Sequence, residues 1–351
     1  MRARRTGLVV AVAVLALGGL PRAQSPAPAP DYAAAIESYV VGHDVVKAVA
    51  LLGGVGPDVL GPAARKYLAG AGPSFTAAAA FHLEIAIGVV TLSAKFAEAH
   101  LEIGEQVIRN LRPTGRGSAG LSMADAAAFT ERWYTAAAST FLMVNDPARA
   151  LPYIDRGLQL APASPELRLM SGIVDELAAL AVSPDEAYSS DQRGRILALR
   201  TLGFMRARDK FRQLLADEPR FTRARIRLGR ALWMLGDNAE ALVLLLQAQS
   251  EVREPKERYL VAMFLGALYE QQRNVVGARI AYEAALAAAP ASQAATVALG
   301  HLDVMAGRPD RAQALARTLL SKPPVGDEWW TYKNGGFETA ALAWLRYRVW
   351  R

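Results

Sequence analysis

Cysteine is missing from all 351 residues. Disulfides, thiolate metal sites and a cysteine-linked lipid anchor are thereby excluded, so the chain must hold itself together by packing. Histidine occurs four times and aromatics make up 8%, which leaves few groups for metal binding or for acid–base work near neutral pH. G-x-S-x-G, H-E-x-x-H and Walker sequences are all absent, and with them the common hydrolase, zinc-peptidase and nucleotide-hydrolase signatures. What the chain has in quantity is alanine and leucine. Apolar residues reach 52%, in proportions that favour helix intrinsically.

The first residues, MRARRTGLVVAVAVLALGGLPRAQS, set Arg2, Arg4 and Arg5 before an uncharged run from Gly7 to Leu20. That run is too short to cross about 30 Å of hydrocarbon comfortably as a helix. The layout is that of a secretory signal peptide over residues 1–23, ending at Ala23. The expectation is an exported protein, periplasmic or extracellular, with no stable membrane span after signal removal. Residues 1–23 carry four arginines and no acid, so their loss takes the formal charge from +7 to +3. Much of the basic excess is therefore targeting signal, and nucleic acid is not an expected partner. Residues 24–30 form a Pro-rich spacer, too stiff to join a packed core.

Inside the body of the chain one pattern returns. In LGALYEQQRNVVGARIAYEAALAAAP, residues 265–290, Leu265-Gly266, Tyr269, Ala278, Tyr282, Ala285 and Pro290 fall at fixed intervals. The small residues suit two antiparallel helices in close approach, the larger ones fill the seam, and the proline stops the second helix. Leu228-Gly229, Leu232, Ala241, Leu245 and Ala248 repeat these offsets; so do Leu299-Gly300, Ala312, Ala316 and Pro324, with Asp303 in place of the first tyrosine. Tyr134, Ala138, Phe141, Ala150, Ile154 and Pro162 form another copy, with alanine in the glycine place. A degenerate copy runs from Gly172 to Ala207, Phe211, Leu214 and Pro219, interrupted by a polar insertion at about 182–194.

Over residues 131–324 this spacing resembles the tetratricopeptide repeat. The resemblance implies an all-α, right-handed solenoid of antiparallel helix pairs, with pairs at about 126–160, 222–251, 256–289 and 293–321. A repeat array over 123–324 follows a linker at 113–122 and a region of divergent helical pairs at 31–112. Residues 325–351 hold four of the six tryptophans, Trp329, Trp330, Trp344 and Trp350. They read as an aromatic C-terminal capping helix, with Trp344 covering the apolar edge that a last repeat exposes.

The remaining chemistry is thin. GRGSAG, residues 115–120, has dinucleotide-binding glycines without the strand before them that such a site needs. HLEI occurs at His82 and again at His100; each histidine lies about 200° round a helix from its glutamate, so packing histidines are expected rather than a metal site. Residues 193–230 carry twelve basic side chains against Asp209, Asp217 and Glu218. Most of these are expected on solvated faces or in ion pairs, with an anionic-ligand surface as the alternative.

No catalytic residue, metal or cofactor emerges. The resemblance implies a non-enzymatic scaffold for protein–protein or protein–peptide interaction in a cell envelope. Its alternatives are a subunit docking by the aromatic end, and a helical enzyme or carbohydrate-binding protein with an N-terminal pocket. In the family, groove-facing positions lie six and three residues before the repeat glycine and one, four and five after it. They fall here on Arg223, Ile226, Arg230, Trp233 and Met234, on Leu260, Met263, Ala267, Glu270 and Gln271, and on His301. Two arginines beside a tryptophan and flexible methionine suit an acidic-aromatic or amphipathic segment.

Overall fold

The computed structural model describes residues 75–90, 93–109, 123–181, 184, 187–321, 327 and 329, with isolated positions between 31 and 51. The leader, the spacer, most of 31–74, the linker at 113–122 and the capping helix with Trp344 lie outside the described residues. Among the described residues no strand occurs. The chain divides into two compact units at Leu167 and Arg168, within the first turn of one helix.

The first unit holds α1 (Phe75–Val89), α2 (Ala94–Arg109), α3 (Met123–Leu142) and α4 (Pro147–Leu160). On α2, Ala97, Leu101, Gly104 and Ile108 recur at helical spacing and are all buried, giving one apolar stripe. The indole of Trp133 on α3 donates to the carbonyl of Ala79 on α1 at 3.0 Å. Tyr134, Ala138 and Phe141 of α3 and Ala150 and Ile154 of α4 are buried, as the repeat spacing requires.

The second unit follows with α5 (Pro165–Ala179), α6 (Ser190–Asp217), α7 (Thr222–Leu235), α8 (Asn238–Glu251), α9 (Pro255–Gln271), α10 (Val275–Ala288), α11 (Gln293–Met305) and α12 (Pro309–Leu320). The helix pairs fall where the spacing places them. Each second helix followed by a described proline stops two residues before it, at Pro162, Pro219 and Pro290. The tight turn inside a pair puts a residue in the left-handed region just before the second helix's N-cap: Asn145, Gly236, Arg273 and Gly307. The caps that follow at Asp146, Asp237 and Asn274 accept a backbone N–H from the next helix.

The insertion is shorter than the polar composition suggests. α6 begins at Ser190, so residues 190–194 are helical rather than looped. Ser189 Oγ accepts from Gln192 N at 3.1 Å, and Gln192 Oε1 accepts from Tyr188 N at 2.9 Å. This reciprocal cap starts the helix five residues early.

The repeat glycines differ in purpose. A Cβ on Gly266 would meet the Tyr282 ring at 2.3 Å, and one on Gly229 would meet Leu245 at 2.8 Å. At Gly300 nothing lies within 4 Å, because Ala316 stands where Tyr282 stands one repeat earlier. Asp303, the other departure in that copy, is buried and paired with Arg279 at 2.6 Å and Arg308 at 3.1 Å.

Candidate functional site

The first helices of successive pairs in the second unit, α5, α7, α9 and α11, are linked by polar contacts between side chains. Glu176 of α5 accepts from Arg227 of α7 at 2.8 Å and pairs with Arg230 at 3.1 Å. Trp233 of α7 donates its indole N–H to Gln271 of α9. Glu270 of α9 accepts from the Tyr282 hydroxyl at 2.9 Å and pairs with His301 Nε2 of α11 at 3.1 Å. Sequence reasoning placed Trp233, Glu270, Gln271 and His301 on one face, and the structure brings them together in pairs.

Arg230 is different. Its side chain is fully buried against an equally buried Glu176, and its guanidinium lies 5.8 Å from the Phe204 ring centre and 5.9 Å from that of Phe264. A long cation placed at a groove position is here an internal strut, held by a carboxylate and two ring faces. It is not available to a partner, which corrects its expected role. Arg223 is exposed, with its guanidinium 5.1 Å from the Phe221 ring centre. Met234 is half-buried and packs against the core, so it lends the face little free surface.

The basic segment is largely neutralised by acids from elsewhere in the unit. Lys210 reaches Asp175 at 2.6 Å, Arg212 reaches Glu240 at 2.6 Å, and Arg225 bonds Glu251. Arg195 pairs with Asp191 at 2.9 Å and Arg208 with Asp209 at 2.8 Å. The ion-pair expectation holds for these side chains. Most of the acids they use lie outside the segment, where a local charge count cannot find them.

On α9 every residue from Tyr259 to Gly266 is buried, including Leu260 and Met263, which the repeat offsets assign to the groove. A helix apolar on all sides needs cover on all sides. Part of that cover comes from beyond α12. Trp329 is 4% exposed, its ring 5.0 Å from that of Phe264. Asp327 accepts from the Tyr259 hydroxyl at 2.6 Å, Ser292 Oγ at 2.8 Å and Ala294 N at 2.9 Å. Sequence reasoning missed this return; the signal was the acidic-aromatic run DEWW beside a helix without a polar side.

In the first unit His82 and His100 meet across α1 and α2, Nδ1 to Nδ1 at 3.0 Å. Burial, reinforced by His100, holds His82 well below its usual pKa, and burial alone takes His100 down to about 4. They are neutral packing partners. No group of three metal-ligating side chains occurs among the described residues. An open recess of about 360 Å³ runs along α3, lined by Glu131, Thr135, Ser139 and Met143 among others, and the two histidines take no part in it.

Antiparallel helix pairs in phase, with a polar first-helix face, define a helical-repeat scaffold of the kind that engages proteins or peptides. Residues 196–252 match the family model for the tetratricopeptide repeat. No curated protein matches it. Among solved structures it is similar to residues 41 to the end of MamA from Desulfovibrio magneticus RS-1, at 19% identity and TM-score 0.39, over 55% of this chain and 94% of that one. It is also similar to a thermophilic TPR protein in Thermus thermophilus, at 17% identity and TM-score 0.40, over 65% and 100%. The human IFIT1 dimer with PPP-AAAA gives 16% identity and TM-score 0.39, over 86% and 73%. The helix pairs themselves, not these distant likenesses, define the fold.

Proposed function

We propose that this protein is an exported scaffold that holds a protein or peptide partner along the first-helix face of its second unit, without catalysis of its own. The observation that carries the reading is the pairing of polar side chains between successive first helices, Trp233 with Gln271 and Glu270 with His301, with Arg223 exposed on the first of them. Export is supported by the arginines and apolar run at the start of the chain. Among the described residues no helix is long and apolar enough to cross a membrane.

The partner that suits this face carries acidic and aromatic side chains, because it would meet an exposed arginine and the edge of a half-buried tryptophan. The test is affinity capture from the native envelope with the wild-type chain and with Arg223→Glu/Trp233→Ala. The double variant is expected to lose its partner and the salt dependence of capture while remaining folded by circular dichroism, with a melting temperature lowered by the loss of the Trp233 packing. Undiminished capture by a folded double variant would reject this face as the binding surface.

A further inference from the structure

The described part of the C-terminal segment makes a patterned contact with α9 and α11. The Asp327 carboxylate takes three hydrogen bonds from them, from a buried tyrosine, the Ser292 cap of α11 and the Ala294 backbone, and a fourth from Trp329 N at 3.0 Å. Two residues on, the Trp329 ring enters the core beside Phe264, which itself faces Trp233 at 6.5 Å between ring centres. A charge-accepting corner and an aromatic pocket are thus set one Asp-x-Trp spacing apart. The preceding helix, α12, contributes no fully buried residue, and its Leu315 packs against the core.

We infer that this corner is a receptor for an Asp-x-Trp segment, filled in the resting protein by the chain's own Asp327-Glu328-Trp329, and that a partner peptide of the same acidic-aromatic chemistry binds by displacing it. The inference rests on the scaffold reading and sharpens it: the corner adjoins that face through Phe264, which lies against Trp233. The resident segment acts as an intramolecular competitor. At a tethered effective concentration in the millimolar range, it weakens an external peptide of about 10 µM intrinsic affinity by about a hundredfold.

The test uses the full chain and a fluorescently labelled synthetic peptide of residues 324–333. The peptide is titrated by anisotropy against wild type, against Asp327→Asn/Trp329→Ala, and against the milder Asp327→Asn, which keeps the shape of the side chain. Both variant chains are expected to bind the peptide at least about tenfold more tightly than wild type. A peptide carrying Asp327→Asn or Trp329→Ala is expected to lose that binding. If the double variant does not fold, as judged by circular dichroism, the Asp327→Asn chain decides. Failure of the peptide to bind a folded variant, or equal binding to variant and wild type, overturns the inference. Partner capture that depends on Trp233 but ignores changes at 327 and 329 would keep the scaffold reading while rejecting the displaceable tail.

Discussion

At the residue scale, the same letter does different work in neighbouring repeats. Gly266 exists to admit the Tyr282 ring, so Gly266→Ala must push that ring aside and disturb its bond to Glu270. The expected loss is about 1–3 kcal/mol by urea titration. Gly300 faces open space, and Gly300→Ala is expected to raise stability by about 0.5–1 kcal/mol, since glycine in a helix interior costs conformational entropy. Equal effects from the two substitutions would contradict the seam geometry. The arginines divide in the same way. Removing the Arg230 side chain leaves Glu176 buried with Arg227 as its charge partner, and the expected cost of Arg230→Ala is about 3–5 kcal/mol. Arg223→Ala on the exposed surface is expected to stay within about 0.5 kcal/mol. Thermal melts of the two variants side by side check the assignment.

At the scale of elements, α1 and α2 are joined through an unusual polar pair. Neutral His82 and His100 share one hydrogen bond in a buried seam, with the Phe96 ring centre 4.7 Å from that of His100. The sign of the pH effect follows from their depressed affinities for protons. Between the usual histidine value and the folded value of about 4 for His100, the unfolded chain binds the proton and the folded chain does not. The stability contributed by the pair is therefore complete above about pH 6.5, falls on acidification through that window, and is lost towards pH 4. For His100 alone the linked change is about 3 kcal/mol. Differential scanning calorimetry from about pH 7 to pH 4.5 should show a falling melting temperature for wild type. His100→Gln should show a shallower fall, because one of the two suppressed protonations is gone. An identical pH slope in that variant would show that His100 takes up its proton equally in the folded and unfolded chain.

At the scale of the whole chain, the basic balance separates into an N-terminal cluster and a segment of ion pairs. Of the excess of +7, four arginines lie in residues 1–23, and much of the basic segment on α6 and α7 is paired to acids of other helices. If residues 1–23 are removed as proposed, the remaining chain is far less cationic than the full sequence, which is why the proposed partner is a segment with matched acidic groups rather than a polyanion. If export proceeds as proposed, the intact mass of envelope-extracted protein is expected to lack the leading residues up to Ala23. Recovery of the full-length chain in the membrane fraction would reject it.

The helix pairs were legible in the sequence because their determinants are local. A small residue and its seam partner sit sixteen positions apart, as Gly266 and Tyr282 do, with a proline to end the second helix, so one pair can be read without knowing any other. The early start of α6 was equally local, written in Ser189 and Gln192, and polar composition hid it. Contacts between pairs are another matter. Arg223 and Arg230 hold equivalent kinds of position and look alike in sequence, yet only Arg230 finds Glu176, on a helix belonging to another pair. Asp327 and Trp329 return to Tyr259 and Phe264 across more than sixty residues of intervening chain. Periodicity reports which face of a helix is apolar; which distant group covers that face depends on how the pairs stack. The sequence thus determined that the chain forms repeating helix pairs, while only the tertiary structure decided which of its apparent groove residues are buried and what lies against the rest.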